Sequence, residues 1–125
     1  MHELSRVLIV DDEPDIRNLV HEILEDEGYN VTTADGGEAA RKASRVRRPD
    51  LILLDLEMPQ MDGFQTINRI RSNKLYSDLP IFALTAHAML DNKEVIEKHG
   101  FNGIITKPIN TASLAFKIQK TLRRN

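Results

Sequence analysis

The amino-acid sequence predicts an α/β fold: a single (βα)₅ domain in which one parallel sheet is covered by helices on both faces. Short, mostly apolar runs at 7–10, 51–54, 81–84 and 104–106, together with a β-branched run at 29–33, are typical of strands. The run at 51–54 has no polar alternation, as expected for a strand that is covered on both faces. Stretches with helical apolar periodicity separate these runs, so we expect right-handed crossovers.

Local start and stop signals place the helices between the strands. Pro14 is a favoured first helical residue, and Gly28 ends the first helix. Pro49 stops the second helix, and Asn110 is a good N-cap for the fifth, whose apolar stripe includes Leu114. The other predicted helices run from about 37 to 46, from 63 onward, and near 90–99.

Length and composition describe an ordinary globular domain that spans residues 1–125. The 41% hydrophobic and 29% charged residues are typical of a folded chain, and the net charge of -2 gives no long-range attraction to nucleic acid or to an anionic membrane. The lack of Cys excludes disulfides and thiolate metal sites. There is no signal-peptide pattern and no apolar run that could span a bilayer, so we expect a cytoplasmic protein with no direct membrane or nucleic-acid partner.

Polar residues follow four of the predicted strands at the point where each strand ends. Asp11 and Asp12 follow the first strand, Asp55 the third, Thr85 the fourth and Lys107 the fifth. Because the carboxyl ends of parallel strands meet at one edge of a sheet, where ligands bind, we expect these side chains to lie together. Three carboxylates, a hydroxyl and an amine indicate a site for a divalent metal and a phosphoryl group.

Three clustered carboxylates need a compensating cation. Two like charges ~4 Å apart cost roughly 4 kcal/mol at an effective dielectric constant of about 20. Oxygen ligands of this kind suit Mg²⁺, which is commonly held by one or two carboxylates and a phosphate, and Mn²⁺ could substitute. Alternatively, Asp11 and Asp12 form an acidic patch that stabilises the N-terminus of the helix beginning at Pro14. Their combination with Asp55 and Lys107 favours the metal site.

Asp55 is the candidate nucleophile, since a carboxylate can attack phosphorus to form an aspartyl phosphate. Lys107 would place a positive charge on a phosphoryl oxygen, and Thr85 would donate a hydroxyl hydrogen bond to the same group. The small Ala86 would leave room beside it. Taken singly, Thr85 would be a structural residue at a strand end and Lys107 a solvated residue in a surface turn. Their joint placement favours the functional interpretation.

Four segments carry a specific combination of motifs: VLIVDDEP at 7–14, LLDLEMPQMDG at 53–63, LTA at 84–86 and TKP at 106–108. Together they resemble the receiver domain of response regulators in two-component phosphorelays, the CheY-like family. The resemblance covers essentially the whole chain. It implies a flavodoxin-like sheet of strand order 2-1-3-4-5, and the function of a phosphoacceptor switch that is not a turnover enzyme.

The resemblance implies that Asp55 accepts a phosphoryl group from a histidine kinase or a histidine phosphotransfer protein. The domain would assist its own phosphorylation and dephosphorylation. Asp12 and Asp55 would ligate Mg²⁺ directly, Glu57 would contribute its backbone carbonyl, and Asp11 would act largely through water.

The resemblance also implies that Lys107 and Thr85 bind the phosphoryl oxygens and that the Lys107–Pro108 peptide bond is cis. Phosphorylation would shift the domain between two populations that differ in their affinity for a downstream protein. Family members often bind that protein through the face formed by the fourth helix, the fifth strand and the fifth helix.

Three positions bear on how this chain would differ from its family. Ile104 stands three residues before Lys107, where family members commonly carry a Tyr or Phe whose rotation accompanies activation. We therefore expect a switch that is led by the backbone or by Thr85. Glu57 and His87 occupy positions that tune hydrolysis of the phosphoaspartate in this family, although His87 could instead be an exposed residue at a helix start.

Other functions fit the sequence less well. The segment at 55–57 is similar to the D-x-D motif of haloacid-dehalogenase-type phosphatases, but its second acid is Glu and the chain has no room for a cap domain. A flavodoxin-like cofactor carrier would need a Ser, Thr or Gly loop where this chain has the acidic residues 11–13. The basic stretch at 41–48 is expected to be a solvated face, because no nucleic-acid-binding motif accompanies it. The chain ends favour a stand-alone receiver over a piece of a larger regulator or hybrid kinase.

Overall fold

The computed structural model of the protein describes residues 4–59, 62–87 and 89–122, so Gln60 and Met61 of the second motif lie outside the described residues. Strands and α-helices alternate along the chain, with one short 3₁₀-helix at Lys74–Tyr76. The strands are β1 (Arg6–Val10), β2 (Asn30–Ala34), β3 (Leu51–Asp55), β4 (Ile81–Thr85) and β5 (Gly103–Thr106). The helices are α1 (Pro14–Asp26), α2 (Gly37–Val46), α3 (Gly63–Ser72), α4 (Leu90–Lys98) and α5 (Thr111–Leu122).

The strands form one sheet in the order β2-β1-β3-β4-β5, and every neighbouring pair is parallel. The predicted α/β fold and its strand order are therefore confirmed. β2 begins one residue later than predicted, because Gly28 has a φ of +92° and the Tyr29 amide donates to the Leu24 carbonyl at 3.0 Å, which makes Tyr29 part of the cap of α1. Among the described residues, no helix combines the length and apolarity needed to cross a membrane.

Helices cover both faces of the sheet and enclose two hydrophobic cores. α1 and α5 pack on one face, around residues such as Ile9 and Leu53. α2, α3 and α4 pack on the other face, around residues such as Leu54 and Ile67. β3 and β4 are buried at every position, as expected for central strands. The strands that carry the site are therefore held from both sides.

Strand register brings the predicted site residues to one edge of the sheet. Asp55 is level with Leu84 of β4, and Thr85 is level with Thr106 of β5. The next residue, Lys107, donates its amide proton to the Thr85 carbonyl at 2.9 Å. Because neighbouring strands lie about 4.8 Å apart, the side chains at the ends of β1, β3, β4 and β5 can meet at this edge.

Candidate functional site

Three carboxylates come together at the carboxyl ends of β1 and β3. Asp11 is 0% and Asp55 1% exposed, whereas Asp12 is open to solvent. Each contributes a carboxylate oxygen, and the three oxygens lie within 4.8 Å of one another. Three negative charges repel one another strongly at such separations unless cations compensate them, so the cluster attracts cations.

The same type of turn orients Asp11 and Asp55. Asp11 Oδ1 accepts a hydrogen bond from the Glu13 amide, and Asp55 Oδ1 accepts one from the Glu57 amide, each at 2.9 Å. These are Asx turns, in which a carboxylate binds the amide two residues later. They leave the second oxygens buried: Asp11 Oδ2 faces Lys107, and Asp55 Oδ2 has no hydrogen-bond partner among the described residues.

Lys107 is the cation that the protein itself supplies to the cluster. Its Nζ lies 3.0 Å from Asp11 Oδ2, 3.2 Å from Asp55 Oδ1 and 3.6 Å from Glu13 Oε1. Burial lowers the pKa of Lys107, but its contacts with Asp11 and Asp55 outweigh that effect and raise the pKa overall. The ammonium therefore stays charged at neutral pH. The Lys107–Pro108 peptide bond is cis, as predicted.

The Asp55 carboxylate is destabilised by its surroundings. The pKa of Asp55 is raised from 3.8 to about 6, chiefly by burial and further by the charge of Asp11. The Glu57 amide and the Lys107 ammonium act in the opposite direction. Asp55 is therefore mostly ionised at neutral pH, and its buried Oδ2 is available to a metal ion or to an electrophile.

The residues of the cluster fit a hard divalent cation such as Mg²⁺ or Mn²⁺. The donor atoms are carboxylate oxygens, which these ions prefer. A cation would satisfy the buried Asp55 Oδ2, an acceptor that would otherwise stay unpaired at a cost in free energy. Because Asp12 lies on the solvent side, there is room for the water ligands that Mg²⁺ usually retains.

The loop after β4 borders the cluster. Thr85 is 2% exposed, and its Oγ1 accepts a hydrogen bond from the His87 amide at 2.9 Å. The Ala86 amide donates to Glu57 Oε1 at 2.6 Å, and His87 Nδ1 lies 3.5 Å from the same oxygen. The structure therefore brings Thr85 and Ala86 to the end of β3. It also gives the Glu57 side chain a contact with this loop, beyond the backbone role that the sequence predicts.

Sequence reasoning missed two side chains beside the cluster. Glu13 brings a further carboxylate to Lys107, and Arg17 donates to the Asp11 carbonyl at 2.8 Å. Glu13 continues the acidic run that starts at Asp11, and this position could have indicated that its carboxylate lies beside the cluster. Arg17 follows Glu13 by one helical turn, a spacing that places two side chains on the same face of α1. The contact between Glu57 and Ala86 had no such signal, because the two residues are 29 positions apart.

Comparison with known proteins gives matches along nearly the whole chain. The family described as response regulator receiver domain matches residues 7–119. A protein of Leptolyngbya boryana, described as an uncharacterized 14.6 kDa protein, is 39% identical over 114 residues, which cover 91% of this chain and 87% of that protein. The sensor protein GacS of Pseudomonas syringae pv. syringae is 43% identical over 118 residues, which cover 92% of this chain but 13% of the sensor.

Solved structures share the fold. Chemotaxis protein CheY4 of Vibrio cholerae has a TM-score of 0.90 and 34% identity, with 96% of this chain and 100% of that chain covered. The receiver domain of the sensor histidine kinase PA1611 of Pseudomonas aeruginosa has a TM-score of 0.84 and 30% identity, with 94% and 97% covered, and its structure holds a magnesium ion in the active-site cleft. With sheet order, acidic cluster and sequence matches in agreement, the chain belongs to the family of response regulator receiver domains, the phosphoacceptor switches of two-component signalling.

Proposed function

We propose that Asp55 accepts a phosphoryl group from a histidine kinase or a histidine phosphotransfer protein, in a step that needs Mg²⁺. The observation that carries the proposal is Asp55 Oδ2, which is buried and lacks a hydrogen-bond partner among the described residues. The neighbouring carboxylates supply a cation site, and Lys107 supplies an ammonium 3.2 Å from the other oxygen of Asp55. The phosphorylated domain would differ in its affinity for a downstream protein, which makes it a switch that modifies itself and not a turnover enzyme.

The metal would be held by the acidic cluster. Asp12 and Asp55 would ligate Mg²⁺ or Mn²⁺ directly, Glu57 would contribute its backbone carbonyl, and Asp11 would act through water. When bound, the ion neutralises negative charge on the transferring group. Receiver domains bind magnesium at their acidic site, as in the PA1611 receiver, and the Asp cluster of this chain supports the same assignment.

In the proposed step, an oxygen of Asp55 attacks the phosphorus of the phosphohistidine. The new O–P bond forms as the N–P bond breaks, and the electron pair of that bond returns to the imidazole nitrogen of the donor. Lys107 would bind one phosphoryl oxygen, and Thr85 would donate its hydroxyl proton to another. Thr85 Oγ1 already accepts the His87 amide proton, so its own proton is free for this purpose. Ala86, with its small side chain, leaves space beside the group.

The downstream protein would bind the surface formed by α4, β5 and α5. A groove of about 620 Å³ lies on this surface, and Lys93, Ile104 and Lys117 are among its lining residues. On α5, Phe116 is 64% exposed. An exposed aromatic ring on α5, together with a groove whose lining includes Lys93, Lys117 and Lys120, supports the proposal of a protein partner. A kinase donor would meet the domain in the cytoplasm, the location that the sequence predicts.

The intact mass of the protein after incubation with acetyl phosphate and Mg²⁺ tests this function. We expect a single phosphoryl adduct that requires the metal and is absent from the Asp55→Asn variant. An adduct that persists in the variant would show a different acceptor. No adduct with acetyl phosphate or with a phosphohistidine donor would overturn the proposed function.

A further inference from the structure

The Glu57 carboxylate accepts a hydrogen bond from a backbone amide at the edge of the proposed phosphoryl site. Glu57 Oε1 accepts the Ala86 amide proton at 2.6 Å and lies 3.5 Å from His87 Nδ1. This contact ties the residues after β3 to the loop after β4. A hydrogen bond of this length to a carboxylate belongs to the charge-assisted class, which is stronger than a bond between neutral groups.

The Ala86 amide is also placed where a phosphoryl group on Asp55 would need a donor. Asp55 ends β3 level with Leu84, and the Leu56 amide donates to the Leu84 carbonyl at 3.0 Å, so the two strand ends stay paired. Because paired strands lie about 4.8 Å apart, a group that extends from Asp55 toward β4 meets Thr85 and Ala86 first. The amide already binds a negatively charged oxygen, so an anion can reach its N–H.

We propose that the Glu57 side chain is an internal substitute for the phosphoryl group. In the unphosphorylated protein it holds the Ala86 amide, and a phosphoryl oxygen on Asp55 displaces it. We call the contact between Glu57 and Ala86 the Glu57 latch. The proposal rests on phosphorylation of Asp55, and it makes Glu57 a positioning residue for the loop that leads into α4. Displacement would release Ala86 and His87 together, because both contact the same carboxylate oxygen.

Competition between Glu57 and a phosphoryl oxygen for the Ala86 amide differs from simple electrostatic repulsion between Glu57 and the phosphoryl group. A latch lowers the apparent affinity for a phosphoryl group by the fraction of molecules in which the amide is free. It depends on whether the side chain reaches Ala86, whereas repulsion depends on its charge. Glu57→Asp keeps the charge but shortens the side chain by one methylene group, and Glu57→Gln keeps the length but removes the charge. These two variants therefore separate reach from charge.

The first measurement is the Ala86 amide resonance in ¹H–¹⁵N spectra of the unphosphorylated protein. An amide proton in a short bond to a carboxylate resonates downfield, so we expect an upfield shift in Glu57→Asp and Glu57→Ala and a smaller one in Glu57→Gln. Glu13→Asp is the matched control, since Glu13 follows Asp11 as Glu57 follows Asp55. It should leave the Ala86 resonance in place. An Ala86 resonance that stays at its wild-type position in Glu57→Asp and Glu57→Ala would overturn the latch.

The second measurement is the affinity of each variant for beryllofluoride, which binds a carboxylate as a mimic of a phosphoryl group, in the presence of Mg²⁺. We expect Glu57→Asp to bind up to about tenfold more tightly than the wild type, and Glu57→Gln to gain less. A gain in Glu57→Gln that equals or exceeds the gain in Glu57→Asp would overturn the latch, and a gain confined to Glu57→Gln would show that charge alone matters. If the wild type binds no beryllofluoride and forms no acetyl phosphate adduct, the proposed function fails, and the Ala86 resonance still decides whether the contact exists.

Discussion

The reactivity of the site originates in how two buried residues, Asp11 and Asp55, are held. Each fixes Oδ1 with the amide two residues later and so keeps Oδ2 inside the cluster. Lys107 stabilises both carboxylates, yet burial and the charge of Asp11 still raise the pKa of Asp55 to about 6. The ionised Asp55 therefore has a higher free energy in the folded protein than in water. Binding of a cation, or formation of a bond to phosphorus, relieves that cost.

We expect the Asp55→Asn variant to be more stable than the wild type in metal-free buffer at pH 7.5. The rise in the pKa of Asp55 from 3.8 to about 6 corresponds to roughly 1 to 3 kcal/mol, and Asn keeps an acceptor for the Glu57 amide. Because folding raises the pKa of Asp55, the ionised carboxylate destabilises the folded protein. This destabilisation is absent below the unfolded-state pKa and complete above the folded-state pKa. The difference in the free energy of urea unfolding should therefore grow as the pH rises from about 4 to about 7.

Binding of Mg²⁺ is the control for the conclusion that ionised Asp55 destabilises the metal-free protein. A saturating concentration should stabilise the wild type, by about 2.7 kcal/mol at one hundred times the dissociation constant, and should stabilise the variant less. A stability difference between the two proteins that does not change with pH would contradict a cost from the ionised Asp55.

At the level of whole elements, one arginine joins several segments at the end of the sheet opposite the site. Asn102 Oδ1 accepts both the Arg71 guanidinium at 2.8 Å and the Ile81 amide at 2.9 Å, which links the end of α3 to the start of β4. The same guanidinium donates to the backbone carbonyls of Tyr76, Ser77, Leu79 and Gly100. The end of α4 is thus fixed here, while its start follows the loop that contacts Glu57.

We expect Arg71→Lys to destabilise the protein by about 2 kcal/mol, because an ammonium cannot span carbonyls that a planar guanidinium reaches from two sides, and the partly buried hydrogen bonds to the Tyr76 and Leu79 carbonyls are lost. Arg69→Lys is the control, since Arg69 lies on the exposed part of α3 and should change stability by no more than about 0.5 kcal/mol. Thermal and urea unfolding measure both variants. Equal effects of the two substitutions would contradict the role assigned to Arg71.

The sequence predicts the elements well because their signals are local. Gly28 ends α1 through its own backbone conformation, and Asp62 caps α3 by accepting the amide protons of Phe64 and Gln65. The strand-end positions of the site residues likewise depend on apolar runs within single segments. The contacts of Arg71 and Glu57 join residues up to 31 positions apart, so they depend on how loops fold over the sheet, and no local pattern encodes them.

Across the whole molecule, Thr85 connects the site to the surface formed by α4, β5 and α5. Its Oγ1 binds the His87 amide in the loop before α4, and its carbonyl accepts the Lys107 amide at the end of β5. Ile104 is 9% exposed, and Lys117 of α5 donates to its carbonyl at 2.9 Å. A movement of Thr85 toward a phosphoryl group would therefore act on α4 and β5 through hydrogen bonds, without the aromatic ring that Ile104 replaces.

We expect beryllofluoride with Mg²⁺ to shift the amide resonances of α4, β5 and α5 in the wild type, and Thr85→Val to abolish these distant shifts while keeping those of residues next to Asp55. Valine matches threonine in shape but cannot bind the His87 amide or a phosphoryl oxygen. The hydroxyl hydrogen bonds that would connect the phosphoryl group to the loop before α4 are therefore lost. Thr85→Ser restores the hydroxyl and should restore the distant shifts. Ile104→Ala should leave the distant shifts in place, since Ile104 contributes its backbone carbonyl and not its side chain to the hydrogen bond with Lys117. Distant shifts that survive in Thr85→Val, or that vanish in Ile104→Ala, would show that the signal travels through the packing around Ile104 and not through Thr85.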